Sequence, residues 1–583
     1  MARRPRVGLV VTAVLALILV AVVLVAAVLR AERARGWMSS VTGEEDGWEQ
    51  AKGVAALALL ELRGPRPELQ PDAPMAHLGL GRLGVNVFLQ LEADPENVRR
   101  SLAVMRDAGV TWARQQFPWE DIEIHAKGDW EDRRNEPPRS AWLKYDRIVQ
   151  LAADHGIQLL ARLDDPPDWA FADPAAAGAM GPPDDFEDYG DFVAAVGGRY
   201  CGRIRYYQLW NEPNIYPEWG ERDVDPAGYA RLLRLAAARL RQACPDAVVV
   251  SAALAQTTEP GGRNMDDLAY LEALYDLGWQ EHFDVLAAQG FGLWTGPADR
   301  RASRDRANFA RVQLARDIMV RRGDAAKAVW ITEMGWGSPP DDMAAPYGRA
   351  DEVTRARYTV GAYERMAREW PWAGVGFLWF LRRPNYEWHE QPQGYFRLVE
   401  PDWDETPSWR ALAEHGRAAP VLHRGRHGVW AQGLRFSGPW HHRSADEGPA
   451  VSVGMPGAEV QFEFLGTGYT VFAGGGDAGD DAPALTVVLD GRAESLAPEP
   501  ASHGDVRLSF GARGLAHGRH AVVTRVDVGT LALTEVRVEA PDPPASLAVV
   551  WRGLAAGAAV LALLAVAAAA ALAGRRRALA SGP

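Results

Sequence analysis

The chain has 583 residues, 48% of them hydrophobic, which is enough for more than one packed domain. Its formal net charge is -13 with only 24% charged residues, and the absence of a basic stripe or a Gly-rich phosphate loop argues against nucleic acid and nucleotides as partners. The 22 tryptophans outnumber both the 15 tyrosines and the 16 phenylalanines, a composition suited to large flat contacts such as those made with sugar rings.

After a tail of residues 1–6, the segment Val7–Leu29 carries no charge over 23 residues. As a helix it would be about 34 Å long, against roughly 30 Å of bilayer hydrocarbon, whereas the apolar core of a cleaved leader is about 7 to 15 residues, so it reads as a retained span. A second span is expected at 551–573, where the uncharged run Gly553–Ala573 is closed by Arg575, Arg576 and Arg577; an Ala-rich buried helix is the alternative. The triple Arg and the cluster Arg3, Arg4 and Arg6 put both tails, 1–6 and 574–583, in the cytoplasm, although Arg30, Arg33 and Arg35 weaken the first vote. The expected localisation is the cell membrane, with everything between the spans outside the cytoplasm.

Residues 30–77 read as a juxtamembrane helix and a linker ending in "RGPRPELQPDAP". From 78 to 418 short apolar runs alternate with amphipathic helical patterns. The runs are Leu83–Leu89, Val110–Phe117, Ile157–Leu163, Ile204–Trp210, Ala247–Leu254, Val285–Phe291, Ala328–Thr332 and Gly374–Phe380, and in the first helical pattern Asp94 and Gly109 suit the two caps. Eight such units predict an α/β fold, a (β/α)₈ TIM barrel; an open doubly wound sheet is the rival, but its first GxGxxG turn is missing. On this frame Cys201 and Cys244 fall at the bottom face beside neighbouring strands, where a disulfide or two unpaired thiols would both fit. Residues 421–544 change to short strands with Gly and Asp turns, an all-β sandwich. No metal-ligand cluster of convincing spacing occurs, the 13 His are scattered, and no cofactor is expected.

Asn211 and Glu212 follow the fourth run, in "QLWNEPN", and Glu333 follows the seventh, in "WITEMGW". In such barrels these strand ends form the active-site rim, with strands four and seven facing each other across the mouth. Two facing carboxyls suit glycoside cleavage, one giving a proton to the leaving oxygen and the other attacking the anomeric carbon.

"WNEPN" and "ITEMGW", 121 residues apart, resemble the signature of the retaining (β/α)₈-barrel glycoside hydrolases of clan A, cellulase-like and β-xylosidase-like, over roughly residues 80–417. The resemblance implies Glu212 as acid/base, Glu333 as nucleophile, Asn211 as partner of the sugar 2-hydroxyl, Arg114 near the nucleophile and Trp379 as a sugar platform. It also exposes a departure: the His-x-Tyr often found on strand six is here Gln289 and Phe291, so the tyrosine hydroxyl that would bond the nucleophile is missing. Asp164 and Asp165, ending the third run, suit either a sugar hydroxyl or a turn before proline. Trp119, Trp169, Trp219, Trp294, Trp336 and Trp388 fall on or near top-face loops, and about half are expected to stack on sugar. The β module loosely resembles galactose-binding-like sandwiches, and a carbohydrate-binding or a spacer role both fit it. The expected function is a membrane-anchored retaining glycosidase acting on β-linked oligo- or polysaccharides. The alternatives are a transglycosylase and a catalytically weak carbohydrate-binding or surface-assembly protein.

Overall fold

The computed structural model describes residue 32 and residues 35–541, apart from 65, 71–72, 74, 79–80, 135, 179, 385–387, 389–390, 444–450, 475–482, 497–498 and 504–505. Both predicted spans lie outside the described residues, among which no helix is long and apolar enough to cross a membrane.

The chain divides into two compact units. In the smaller one, residues 35–42 are helical and α1 spans Gly47–Arg63. The Asp46 side chain caps α1 by accepting from the Trp48 and Glu49 amides. Gly53 lets the helix approach its neighbours closely, since a Cβ there would meet the Thr42 side chain at 2.8 Å. Arg301 ties the unit together through Asp299 at 2.8 Å, Glu44 at 2.7 Å and the Thr42 carbonyl at 2.9 Å.

The larger unit contains the barrel and the β module. The barrel strands are β1 Leu83–Val87, β2 Trp112–Pro118, β3 Gln158–Asp164, β4 Tyr206–Leu209, β5 Val248–Val250, β6 Leu286–Phe291, β7 Val329–Gly335 and β8 Ala373–Leu378. They pair in parallel in the order β6-β7-β8-β1-β2-β3-β4-β5, and a bridge from Val250 to Val285 closes the ring. Each of the eight predicted runs overlaps one barrel strand. The longer helices between and after them are α2 Pro95–Asp107, α3 Trp142–Asp154, α4 Phe186–Tyr200, α5 Pro226–Ala243, α6 Asp267–Asp276, α7 Val312–Arg321, α8 Glu352–Glu369 and α9 Pro407–Arg417.

Helix α2 illustrates why these segments are helical. Asp94 caps it at 2.9 Å, and Pro95 occupies the first turn, where its missing N–H costs nothing. Val98, Leu102 and Met105 bury one face. It stops before Gly109, whose φ of 74° leaves the helical region and whose missing Cβ avoids the Gly416 carbonyl oxygen at 2.5 Å.

Inside the barrel, Trp112, Tyr206, Trp330 and Phe377 form an aromatic floor, with Tyr206 and Trp330 stacked at 4.8 Å. The period of two then brings the next inward positions, Arg114 on β2 and Gln208 on β4, one layer up. Cys201 and Cys244 are joined in a disulfide between the C-terminal ends of α4 and α5, with Cα atoms 5.4 Å apart.

The β module consists of two antiparallel sheets. One contains Trp440–Arg443, Val451–Gly454, Leu531–Glu539, Gly468–Gly474, Val506–Ala512 and Glu499–His503, with Gly425–Gly428 added beside Leu531–Glu539. The other contains Arg435–Ser437, Glu459–Gly466, Gly518–Val528, Ala484–Leu489 and Arg492–Leu496. Alternate residues such as Val460, Phe462 and Phe464 meet Val471, Leu533 and Val536 in one core, as a sandwich requires.

Candidate active site

Arg114 is the hub of the layer above the aromatic floor. Its guanidinium donates to four acceptors: Gln208 Oε1 at 2.7 Å, Asn86 Oδ1 at 2.8 Å, Glu333 Oε1 at 2.7 Å and Asn211 Oδ1 at 2.8 Å. Arg114 is only 2% exposed, and burial lowers its pKa while the Glu333 charge resists the shift. The fork geometry matters here, because a lysine ammonium could not reach acceptors on β1, β4, β7 and the loop after β4 together. Asn86 is itself fixed by donating to the Thr332 carbonyl at 3.0 Å.

Glu333 corrects one sequence expectation. The seventh run was predicted to end at Thr332, with Glu333 just beyond it, whereas β7 continues to Gly335. The pairing with β6 passes from Ala288–Ile331 to Gln289–Glu333 and skips Thr332, and the pairing with β8 shifts in the same stretch. This is a β-bulge. With Trp330 on the floor inside and Ile331 in the core outside, plain alternation would turn Glu333 outward; the extra residue reverses the phase and aims it into the barrel mouth. Glu333 Oε1 takes the Arg114 bond, and Oε2 accepts no hydrogen bond among the described residues.

Glu212 stands just past the end of β4, as expected. The backbone that presents it is strained: Trp210 has φ 77° and Glu212 φ 41°, in the region that favours glycine. Such residues cost on the order of 1–3 kcal/mol each and persist only where their surroundings hold them. The Glu212 amide donates to the Ala253 carbonyl at 2.9 Å. Buried Asn214 clamps the loop to the one after β5, accepting from the Ala255 amide at 2.8 Å and donating to the Ala255 and Met265 carbonyls at 2.9 Å. Gln289 Nε2 donates to Glu212 Oε1. Burial and then the Glu333 charge push the Glu212 carboxyl up to about 7, while the Gln289 bond, Arg162 and Arg114 pull the other way.

Glu212 and Glu333 open into one cavity of about 410 Å³, which Gln289, Phe291 and Trp379 also line. Its walls add aromatic rings, among them Tyr216, Tyr347 and Phe396, and polar side chains such as Gln256, Glu259 and Asn264. Apolar faces with a few aimed polar groups suit a ligand that is itself flat and hydroxylated.

The remaining predicted residues are absent from that lining. Asn211 and Arg114 are buried and joined to each other by a hydrogen bond, and Arg114 links the pair to Glu333. Asp164 belongs to a neighbouring network, accepting from Arg162 and, at 2.9 Å, from Gln116, which also donates to Asp165 at 2.6 Å. Burial and the Asp164 charge push Asp165 up to about 8. Trp336 is not at the cavity: it is 2% exposed and donates to the Thr295 carbonyl at 2.8 Å, its indole filling space that a Cβ on Gly292 would occupy at 2.0 Å. Trp119 and Trp219 are likewise core residues, whereas Trp294 is exposed and Trp388 packs against Trp379 at 6.1 Å.

Asn86 and Gln208 were not anticipated. Each is a polar residue inside an apolar strand, in "LGVNVF" and "YYQLW", and that interruption is the signal that marks them. The loop residues Tyr216, Glu259, Asn264, Tyr347 and Phe396 carry no comparable signal.

No family model matches the chain, and no curated protein matches it. Among solved structures, the chain aligns with a family 39 glycoside hydrolase from the gut symbiont Bacteroides cellulosilyticus WH2, at 16% identity over 79% of this chain and 82% of that one, with a TM-score of 0.45. It also aligns with GH5_18 from Streptomyces cattleya in complex with GlcNAc, at 16% identity over 60% and 83% of the two chains, TM-score 0.44. A third is a GH39 β-xylosidase from Caulobacter crescentus, at 12% identity over 79% and 98%, TM-score 0.41.

Proposed function

We propose that the protein is a membrane-anchored glycoside hydrolase that cleaves β-linked oligo- or polysaccharides with retention of configuration. The observation that carries this reading is the contrast between two carboxyls in one cavity: Glu333 is ion-paired with Arg114, whereas Glu212 is pushed up to about 7. Pairs of carboxyls driven into different settings are how acid and nucleophile roles are divided.

In the first step Glu333 Oε2 attacks the anomeric carbon, and the bond from that carbon to the leaving oxygen breaks as Glu212 gives that oxygen its proton. Arg114 holds Glu333 in aim and offsets its charge. In the second step Glu212, now a carboxylate, takes a proton from water; the water oxygen bonds the anomeric carbon and Glu333 leaves. Two inversions restore the starting configuration. In this reading Asn211 meets the sugar 2-hydroxyl and Trp379 supports the ring.

The uncharged segments Val7–Leu29 and Gly553–Ala573 serve as the two spans, with the tails in the cytoplasm and the barrel and sandwich outside it. The Cys201–Cys244 disulfide supports an oxidising compartment.

A panel of activated 2-deoxy-2-fluoro β-glycosides tests the reading. One member is expected to add its glycosyl mass to the peptide carrying Glu333, and absence of labelling across common pyranosides would overturn it. Glu212→Ala is expected to slow turnover and to regain part of it with azide, which fills the space of the lost carboxyl.

A further inference from the structure

Helix α1 exposes the wrong residues for a helix in water. One face, carrying Gln50, Gly53 and Leu57, is buried. The opposite face presents Trp48, 71% exposed, Leu59, 49% exposed, and Leu62, 67% exposed, with exposed Ala55 between them. Positions 48, 55, 59 and 62 lie within about 60° of one another at 3.6 residues per turn, so they form a single apolar stripe roughly 21 Å long. Cations border it: Lys52, ion-paired with Glu49 at 2.6 Å, and Arg63 in the last turn. A solvated face would carry charges where this stripe carries Trp and Leu.

The sequence next to α1 says what covers the stripe. Only 17 residues separate Leu29, the end of the uncharged segment, from Gly47, and three of them are Arg30, Arg33 and Arg35. Even fully extended, that connection reaches no more than about 60 Å. A helix with an apolar stripe, flanking cations and an aromatic residue matches the physics of a helix lying in a membrane interface, where Trp prefers the headgroup level and long basic side chains reach back to phosphates.

We propose that α1 is an interfacial docking element whose Trp48, Ala55, Leu59 and Leu62 stripe lies in the headgroup region of the bilayer that Val7–Leu29 enters. The inference rests on the membrane-anchored reading. In addition to tethering the chain, the membrane then holds it at a second place, and the short connection fixes the height at which the chain emerges.

The two cysteines of the chain are paired, so single cysteines introduced at Leu59 and Leu62, with Glu49 as the solvent-side control, can be labelled selectively with an environment-sensitive nitrobenzoxadiazole dye. The full chain is reconstituted into phosphatidylcholine vesicles containing phosphatidylglycerol. Labels at L59C and L62C are expected to emit to the blue of the E49C label, to be quenched by lipids carrying a nitroxide near the headgroup and to resist dithionite from outside. Adding Trp48→Ser and Ala55→Glu, both exposed positions, is expected to abolish that protection while the chain stays in the carbonate-resistant membrane fraction. Equal aqueous behaviour of all three labels in a chain that remains integral would overturn the inference alone. Energy transfer between differently labelled chains without lipid quenching would assign the stripe to a second copy instead and also overturn it. Extraction of the whole chain by carbonate would overturn the anchored reading itself.

Discussion

Gln289 on β6 donates its Nε2–H to Oε1 of Glu212 on the loop after β4, so one oxygen of the carboxyl is occupied and Oε2 is the one that would carry the proton in the proposed mechanism. A donor aimed at a carboxylate favours its charged form and here opposes burial and the charge of Glu333. The other charged groups facing Glu212 are Arg114 on β2, Arg162 on β3 and Glu218 on its own loop. Gln289→Met keeps the volume and removes the donor. The Glu212 pKa should then rise, and because in the proposed mechanism the protonated form gives the proton in the first step, the basic limb of kcat/KM should move up by about 0.5–1 unit. A limb that stays in place or moves down in the pH profile would refute this role.

Arg114→Met should be the most damaging change in the layer above the aromatic floor. It strips one partner from a buried ion pair and leaves Glu333, Asn211, Asn86 and Gln208 each without a donor. Breaking such a pair costs about 3–5 kcal/mol, so the melting temperature should fall along with the rate of Glu333 labelling. Arg114→Lys keeps the charge but loses the fork, so calorimetry should show a smaller loss of stability while labelling remains slow.

The barrel was legible because a buried parallel strand must be apolar and a covering helix must be amphipathic, and both periods survive in the chain from Leu83 to Arg417. Glu212 was legible for the same reason, as a carboxylate placed at the end of a buried run. The aim of Glu333 was not, because a bulge at Thr332 is a property of three strands pairing and leaves no mark on one. Trp336 misled because an indole reads alike in sequence whether it faces a cavity or fills the space above Gly292. The cavity walls at Tyr216, Glu259 and Phe396 come from loops, whose approach depends on clamps such as Asn214 that no periodicity records.

Glu212 should also leave a trace in stability. Its folded pKa, about 7, lies above the ordinary 4.5, so between those values the folded state holds a proton that the unfolded state releases. Stability from this group is fully present below about 4.5 and is lost as pH rises through 7. Glu212→Gln removes the dependence. In thermal melts it should gain on the parent protein as pH rises from 5 to 8, and a gap that narrows over that interval would contradict the assignment.

The disulfide closes a loop with a sequence separation of 43, which by the chain-entropy argument is worth about 4 kcal/mol. Cys201→Ser with Cys244→Ser should therefore unfold at lower denaturant concentration than the parent, while the pH profile of labelling at Glu333 keeps its shape, because the bridge joins the ends of α4 and α5 at the opposite face. Alkylation of the parent protein without reductant should add no mass.

Phe291 offers a gain-of-function test. It lines the same cavity as Glu333, whose Oε2 accepts no hydrogen bond among the described residues, and its ring meets the edge of Phe396 at 5.7 Å. Phe291→Tyr adds a hydroxyl on that wall. Hydrogen bonds to charged groups are worth about 1.5–3 kcal/mol, and the lower figure corresponds to roughly a tenfold rate change when the bond is made in the transition state. Labelling of Glu333 by the 2-fluoro glycoside should accelerate by about that factor. The decay of the labelled protein in buffer should accelerate as well, because in the proposed second step the hydroxyl would stabilise Glu333 as it leaves. Faster labelling with unchanged decay would mean that the hydroxyl contacts the sugar rather than the carboxylate, and no change in either would show that the cavity does not bring position 291 within reach of Glu333.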